Sequence, residues 1–236
     1  MATTDAAFQA ETFTGSTLRG RLFQAGKRIL SSEFQRTNHL DRTLARYPES
    51  SKIVELGSGS RRLREGVTNV DLFAFPNVDV VADITSVPLA SDSADLVILD
   101  SVIEHVCDPA AVVQEARRIL KPGGRLFINC PFIFPYHGYP GHFQNFTRDG
   151  LNHLLREFSS VEVRTTFGPM TAWVNMTAET FAVLIAGPRG TGYIVAKAIA
   201  LLPIFWLKYL DVFFSGREKS HRIAGMLCAI AVKQGH

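Results

Sequence analysis

A short apolar run that ends in an acid and turns into glycine, Ile53-Val54-Glu55-Leu56-Gly57-Ser58-Gly59, opens a series of similar segments along this chain. Glycine lets a backbone approach a ligand closely and adopt φ > 0 without a Cβ clash. Alone, such a turn is as often a tight connection as a binding loop. Downstream of it stand Val70-Asp71, Val80-Val81-Ala82-Asp83, Ala94 to Asp100, and, after a helical stretch, Leu120-Lys121-Pro122-Gly123-Gly124 leading into Arg125–Asn129. Apolar strands that repeatedly end in acids or glycines along one sheet edge are what a nucleoside ligand requires. The expected strands are Ile53–Leu56, Val67–Val70, Val78–Val81, Leu96–Leu99 and Arg125–Asn129, with a further one at Val161–Thr165.

Between strands, Asp108-Pro109 fits an N-cap with proline in the first turn, opening a helix to about Leu120 that Lys121-Pro122-Gly123-Gly124 stops. Thr147 is a second N-cap, for a helix to about Phe158. Ahead of the sheet, residues 1–15 read as loose. From Leu18 to Tyr47 the apolar spacing suits helices, with Leu18, Leu22, Ile29, Leu30, Leu40 and Leu44 turned inward.

Charge and cysteine usage narrow the function classes. The net charge of +3 is too small to argue for nucleic acid. Cys107, Cys130 and Cys228 have no CxxC spacing and read as reduced thiols of a cytoplasmic protein. Residues 1–15 carry acids and no apolar core segment, unlike a secretory leader. No spacing of His, Cys and acids suggests a metal site, so none is expected.

Taken together, the acid-ended strands, Glu104-His105-Val106 after the fourth of them and the Leu120–Gly124 turn before the fifth resemble the class I S-adenosylmethionine-dependent methyltransferases, over about residues 51–158. The resemblance implies an α/β fold, a Rossmann-like doubly wound and mostly parallel sheet, with S-adenosylmethionine as cofactor. It implies that Gly57, Ser58 and Gly59 lie under the methionine and ribose, and that Glu55 holds the loop and faces the methionine ammonium. Asp71 would accept both ribose hydroxyls. Asp83 would accept from the adenine amine, Ile84 would offer its amide, and Leu72 or Phe73 would cover the ring. Asp100 and Ser101 would line the methionine end.

Two departures from that family stand out. Ser60-Arg61-Arg62 stands where a third glycine is expected, and the link from Gly59 to Asp71 is too short for a full crossover helix. The first helix is therefore expected to be trimmed or replaced by a loop, with Arg61, Arg62 and Arg64 near the cofactor or solvated. A dinucleotide site, which needs the glycine turn to open a helix beneath a pyrophosphate, fits less well.

The acceptor side is expected in the loop after the fifth strand, residues 132–148, which gathers two histidines, two tyrosines, an asparagine and an arginine among glycines and prolines. It resembles a segment of methyltransferase-like proteins associated with glycan assembly through His137, Pro140, Phe146 and Thr147; His142-Phe143 stands where those relatives have Asp-Tyr. His137 is the first candidate for base or acceptor anchor and His142 the second, while His105 orients the loop after the fourth strand. The expected activity is methyl transfer to a small-molecule or glycan acceptor, at oxygen. The alternative is a catalytically silent binding module of the same fold.

The chain divides into three regions: an N-terminal helical extension (1–50), the cofactor domain (51–180), and an apolar helical appendage returning to a final strand (181–236). Within the last, Leu202, Trp206, Tyr209 and Phe213 form one helical stripe with Lys208 and Asp211 opposite, expected to be buried. The same segment, 193–214, permits peripheral contact with a membrane surface on the cytoplasmic side.

Overall fold

The computed structural model describes residues 34, 38–138, 141–215 and 217–235. A short helix α1 (His39–Leu44) precedes strands β1 (Ile53–Leu56), β2 (Val67–Asp71), β3 (Val80–Val81) and β4 (Ala94–Asp100). Helix α2 (Pro109–Ile119), β5 (Leu120–Pro131), α3 (Arg148–Leu154) and β6 (Ser160–Phe167) follow. A helical excursion of α4 (Pro169–Ala186), α5 (Gly190–Leu201), a 3₁₀ segment (Phe205–Leu210) and the one-turn α6 (Asp211–Phe214) then leads back to β7 (Met226–Val232). The candidate N-terminal helix positions Leu18, Leu22, Ile29 and Leu30 lie outside the described residues; Leu44, on α1, is buried.

All seven strands join one sheet in the order β3-β2-β1-β4-β5-β7-β6. β1 pairs in parallel with β2 and β4, β4 with β5, and β2 with β3. β7 is antiparallel to both of its neighbours. The apolar runs of β1 and β4 are buried on both faces, as strands at the centre of a parallel sheet must be. β6, at the edge, alternates instead: Val161 and Val163 pack inward while Glu162 and Arg164 meet in solvent at 2.8 Å.

The local signals hold where the side chains dictate them. Asp108 accepts from the Ala111 amide at 3.0 Å to cap α2, with Pro109 at its first position. Thr147 accepts from the Gly150 amide at 3.0 Å to cap α3, which ends at Leu154 rather than Phe158. Between β1 and β2 no helix forms, in line with the short link. Val112, Val113, Ala116 and Ile119 of α2 are buried against the sheet.

The C-terminal region departs from expectation in two ways. The expected boundary at 180/181 falls inside α4. The aromatic stripe is also inverted: Leu202, Trp206, Tyr209 and Phe213 are exposed, whereas Lys208 and Asp211 are buried. Asp211 accepts from the amides of Met170 and Thr171 at 2.9 and 2.8 Å, supplying from a distance the N-cap that Gly168 cannot. An apolar cluster of Val174, Ala178 and Leu201, with Ala200, Ile204 and Leu207 packed against it, joins α4 to the following helical segment, together with a contact in which Glu179 accepts from Tyr193 at 2.7 Å and from Lys197 at 2.8 Å.

Candidate active site

The carboxyl ends of β1, β2, β4 and β5 converge on one edge, and the loop after β1 is folded onto it by its own backbone. The amides of Gly57 and Ser58 both donate to Val70 O, at 2.8 and 3.2 Å. Gly57 lies at φ +75°, and a Cβ there would come within 2.7 Å of Val102, so neither the turn nor the packing admits a side chain. Asp71, buried at the end of β2, accepts from Gly59 N through one oxygen at 2.8 Å and from Phe73 N through the other at 2.9 Å. Each oxygen keeps a lone pair, which suits a diol. Nothing lies within 4 Å of a Cβ built on Gly59, so the loop leaves room for a ligand.

Beyond β3, Asp83 accepts from the Thr85 amide and hydroxyl at 2.9 and 2.7 Å, and the amide bond above all holds its carboxyl below the usual carboxylate range. Ile84 is buried, while Leu72 and Phe73 stand exposed beside Asp71 as an adenine cover would. At the other end, Asp100 accepts from Asn129 at 2.8 Å. Ser101 holds a left-handed φ of 59°, with its amide donating to Asn129 O at 2.8 Å.

The three arginines separate. Arg62 reaches Asp79 at 2.9 Å and backbone oxygens of Val67 and Asn77, and Arg64 donates to Leu44 and Tyr47 carbonyls; both are structural. Arg61 alone enters the site. Its guanidinium donates to Glu55 Oε1 and Asp100 Oδ2, both at 2.7 Å, and so bridges two of the expected cofactor residues. Burial raises the Glu55 carboxyl above the usual carboxylate value, an effect that Arg61 opposes.

A cavity of about 290 Å³ opens beside this edge, where Asp100, Ser101 and Asn129 face His105, Phe134 and His137. The structure therefore places His137 beside Asp100 and Ser101, the residues expected at the methionine end. His142 is not among the residues lining the cavity. Its Nδ1 accepts from the His137 amide at 3.2 Å and its Nε2–H donates to Asn145 at 2.6 Å, bonds that shape the loop. Tyr139 and Pro140 lie outside the described residues.

Asn129 and Glu104 were not among the residues expected at this edge, and of the three arginines expected near the cofactor or in solvent only Arg61 reaches it. Glu104 lies just past β4, fully buried, with Oε1 3.7 Å from His137 Nε2 and 3.8 Å from His105 Nε2. Its neighbour His105 was the only signal, and the partner that completes the cluster lies on another loop.

Residues 55–128 match the family described as "Methyltransferase domain". A relative in Mycolicibacterium smegmatis named "Probable S-adenosylmethionine-dependent methyltransferase" is 32% identical over 101 residues, covering 40% of this chain and 39% of that protein. The malonyl-[acyl-carrier protein] O-methyltransferase of Hahella chejuensis is 48% identical over 46 residues, 20% of this chain and 16% of that one. The chain thus matches well under half the length of these curated relatives. A solved SAM-dependent methyltransferase from Archaeoglobus fulgidus superposes with a TM-score of 0.51 at 16% identity, over 81% of this chain and 90% of that one, and shows the shared fold. The fold is the Rossmann-like one that this solved methyltransferase shares, and S-adenosylmethionine is the cofactor that the name of the Mycolicibacterium smegmatis relative carries. The Gly59 opening and the Asp71 oxygens fit that cofactor.

Proposed function

We propose that the chain is an S-adenosylmethionine-dependent methyltransferase that methylates a small-molecule or glycan acceptor at oxygen. The observation that carries the reading is the shared cavity: Asp100 and Ser101, at the methionine end, line the same space as His137. Methyl transfer from a sulfonium is an in-line displacement in which the C–S bond breaks as the O–CH₃ bond forms, so placement of the two reactants supplies much of the rate. His137 would meet the acceptor hydroxyl as base or as anchor. Asp71, Asp83 and the Gly57–Gly59 loop would hold the nucleoside, with Leu72 and Ile84 beside the adenine; Glu55, Asp100 and Ser101 would hold the methionine end.

Calorimetry tests the cofactor half. Asp71→Ala should weaken S-adenosylmethionine binding by about 1.5–3 kcal/mol, the range of hydrogen bonds to a charged group; unchanged affinity removes the ribose assignment. His137→Ala should lower turnover by roughly 10²–10⁴ with cofactor affinity nearly intact. Loss of cofactor binding instead would put His137 in the wrong pocket.

A second reading concerns location. Among the described residues no single helix is long and apolar enough to cross a membrane. The helical region 184–222 nevertheless exposes Leu184, Ile185, Ile199, Trp206 and Phe213, and with them Arg189, Arg217, Lys219 and Arg222. Apolar area yields about 25 cal/mol per Å² on leaving water, and basic neighbours favour anionic lipid. We read this exposed apolar and basic region as a peripheral contact with the cytoplasmic surface of a membrane. Flotation with anionic vesicles should carry the protein upward; a wholly soluble fraction rejects the reading.

A further inference from the structure

Glu104 is a buried carboxylate that the described contacts leave unsatisfied. Its side chain is fully buried, and neither carboxylate oxygen has a hydrogen-bond partner among the described residues. A buried, unpaired carboxylate is several kcal/mol unfavourable unless a cation or donor meets it. The groups that face it are two imidazoles whose other nitrogens are committed. His105 Nδ1–H donates to Gly141 O, and His137 Nδ1–H donates to Pro135 O at 3.0 Å. In the neutral rings this assigns the lone pair to Nε2 of each, and both Nε2 atoms turn toward Glu104.

Three electron-pair donors therefore converge, with ligand atoms all within 4.8 Å of one another. The separations of 3.7 and 3.8 Å are too long for hydrogen bonds. They are a few tenths of an ångström wider than the edge of about 3.3 Å that bonds of 2.0–2.1 Å give around a tetrahedral cation. Backbone carbonyls that fix the remote nitrogen of each histidine are also the usual outer support of a metal-bound imidazole.

We propose that Glu104, His105 and His137 hold a divalent transition-metal ion, such as Zn²⁺ or Mn²⁺, at the acceptor end of the cavity. Two imidazoles and one carboxylate suit these ions better than Mg²⁺ or Ca²⁺, which prefer all-oxygen sites. Three protein ligands leave positions open toward the cavity that His105 and His137 line. The role given to the ion rests on the methyltransferase reading. An acceptor hydroxyl bound there would lose its proton to water more readily, and its oxygen would then take the methyl group while sulfur keeps the electron pair of the broken C–S bond. His137 is then an anchor rather than the base.

The test begins with full-length protein stripped by chelator and dialysed. Titration with Zn²⁺ by calorimetry, and with Co²⁺ by visible absorption, should show one site per chain with the d–d bands of a nitrogen–oxygen ligand set. Glu104→Gln and His105→Ala should each weaken it by about 100-fold or more, taking outer-shell losses of 10–100-fold as the lower reference. His153→Ala, which removes an exposed histidine remote from the cluster in sequence, should not change it. S-adenosylmethionine calorimetry on the same variants separates a lost ligand from a lost fold. Absence of Zn²⁺ and Co²⁺ binding in the stripped protein, or binding that survives in Glu104→Gln and His105→Ala alike, overturns the site. Full methylation by metal-free protein overturns the ion's role in acceptor activation. Metal bound without any cofactor affinity would overturn the methyltransferase reading and leave the site standing.

Discussion

Glu55 carries a pH signature that can be measured. Its carboxyl is raised chiefly by burial, so the folded state prefers it protonated more than the unfolded chain does. A group of this sign contributes stability that is complete below its unfolded value, near 4.5, and is lost as pH rises through the folded value. Urea midpoints measured from pH 4.5 upward should therefore fall more steeply for the native chain than for Glu55→Gln; parallel curves would show that Arg61 already offsets the burial. Removing the cation as Arg61→Met should steepen the fall, since Glu55 would then keep no opposing charge at 2.7 Å. Much of this scale was legible in the sequence. Asp71, Asp108 and Thr147 each act through neighbours two to twelve residues away, and short-range chemistry is what residue spacing records. Arg61 was legible only as a departure from the glycine pattern. The Glu104 cluster was not legible, because His137 reaches it from a loop on the far side of β5.

At the scale of elements, α4 shows how one side chain can fix a helix it does not belong to. Asp211 receives the Met170 and Thr171 amides, and a Cβ on Gly168 would lie 2.4 Å from its carboxylate carbon. Asp211→Ala should cost about 1–2 kcal/mol, the range for a lost N-cap, read as a lower thermal midpoint. Gly168→Ala should destabilise through the same contact, and the double variant should cost less than the sum of the two. Additive losses would argue that the cap and the close approach are independent. The same region explains why the stripe was read inside out. A period of 3.6 assumes one continuous α-helix, but the chain turns after Leu201 and winds residues 205–210 as a 3₁₀ segment at three residues per turn. The phase slips, and Lys208 and Asp211 arrive on the buried side.

On the scale of the whole molecule, β6 and β7 are the two arms of a hairpin, with Phe167 opposite Met226, and residues 168–225 are its connection. A chain in which that connection is replaced by a short glycine turn should keep the sheet and bind S-adenosylmethionine, because β7 is held by β5 as well as β6. It should also lose vesicle flotation. Cooperative unfolding followed by urea, with calorimetry on the same sample, checks the first expectation; failure of the excised chain to fold would make the helical layer part of the core. The mostly parallel sheet was legible because buried parallel strands must read as apolar runs. The place of β7 between β5 and β6 was not, since no local pattern encodes which strand lies beside which.

That hairpin gives the fold a point of exchange. Lengthening a surface connection is thermodynamically cheap, about 0.6 kcal/mol for each doubling. Phe167 and Met226, which root this connection, also form part of the cavity wall. A lineage can therefore trade one helical layer for another between these two residues, and so change what the cavity admits, without disturbing the strand ends that carry Glu55, Asp71 and Asp100. Novelty in what is accepted is thereby uncoupled from inheritance in what is donated.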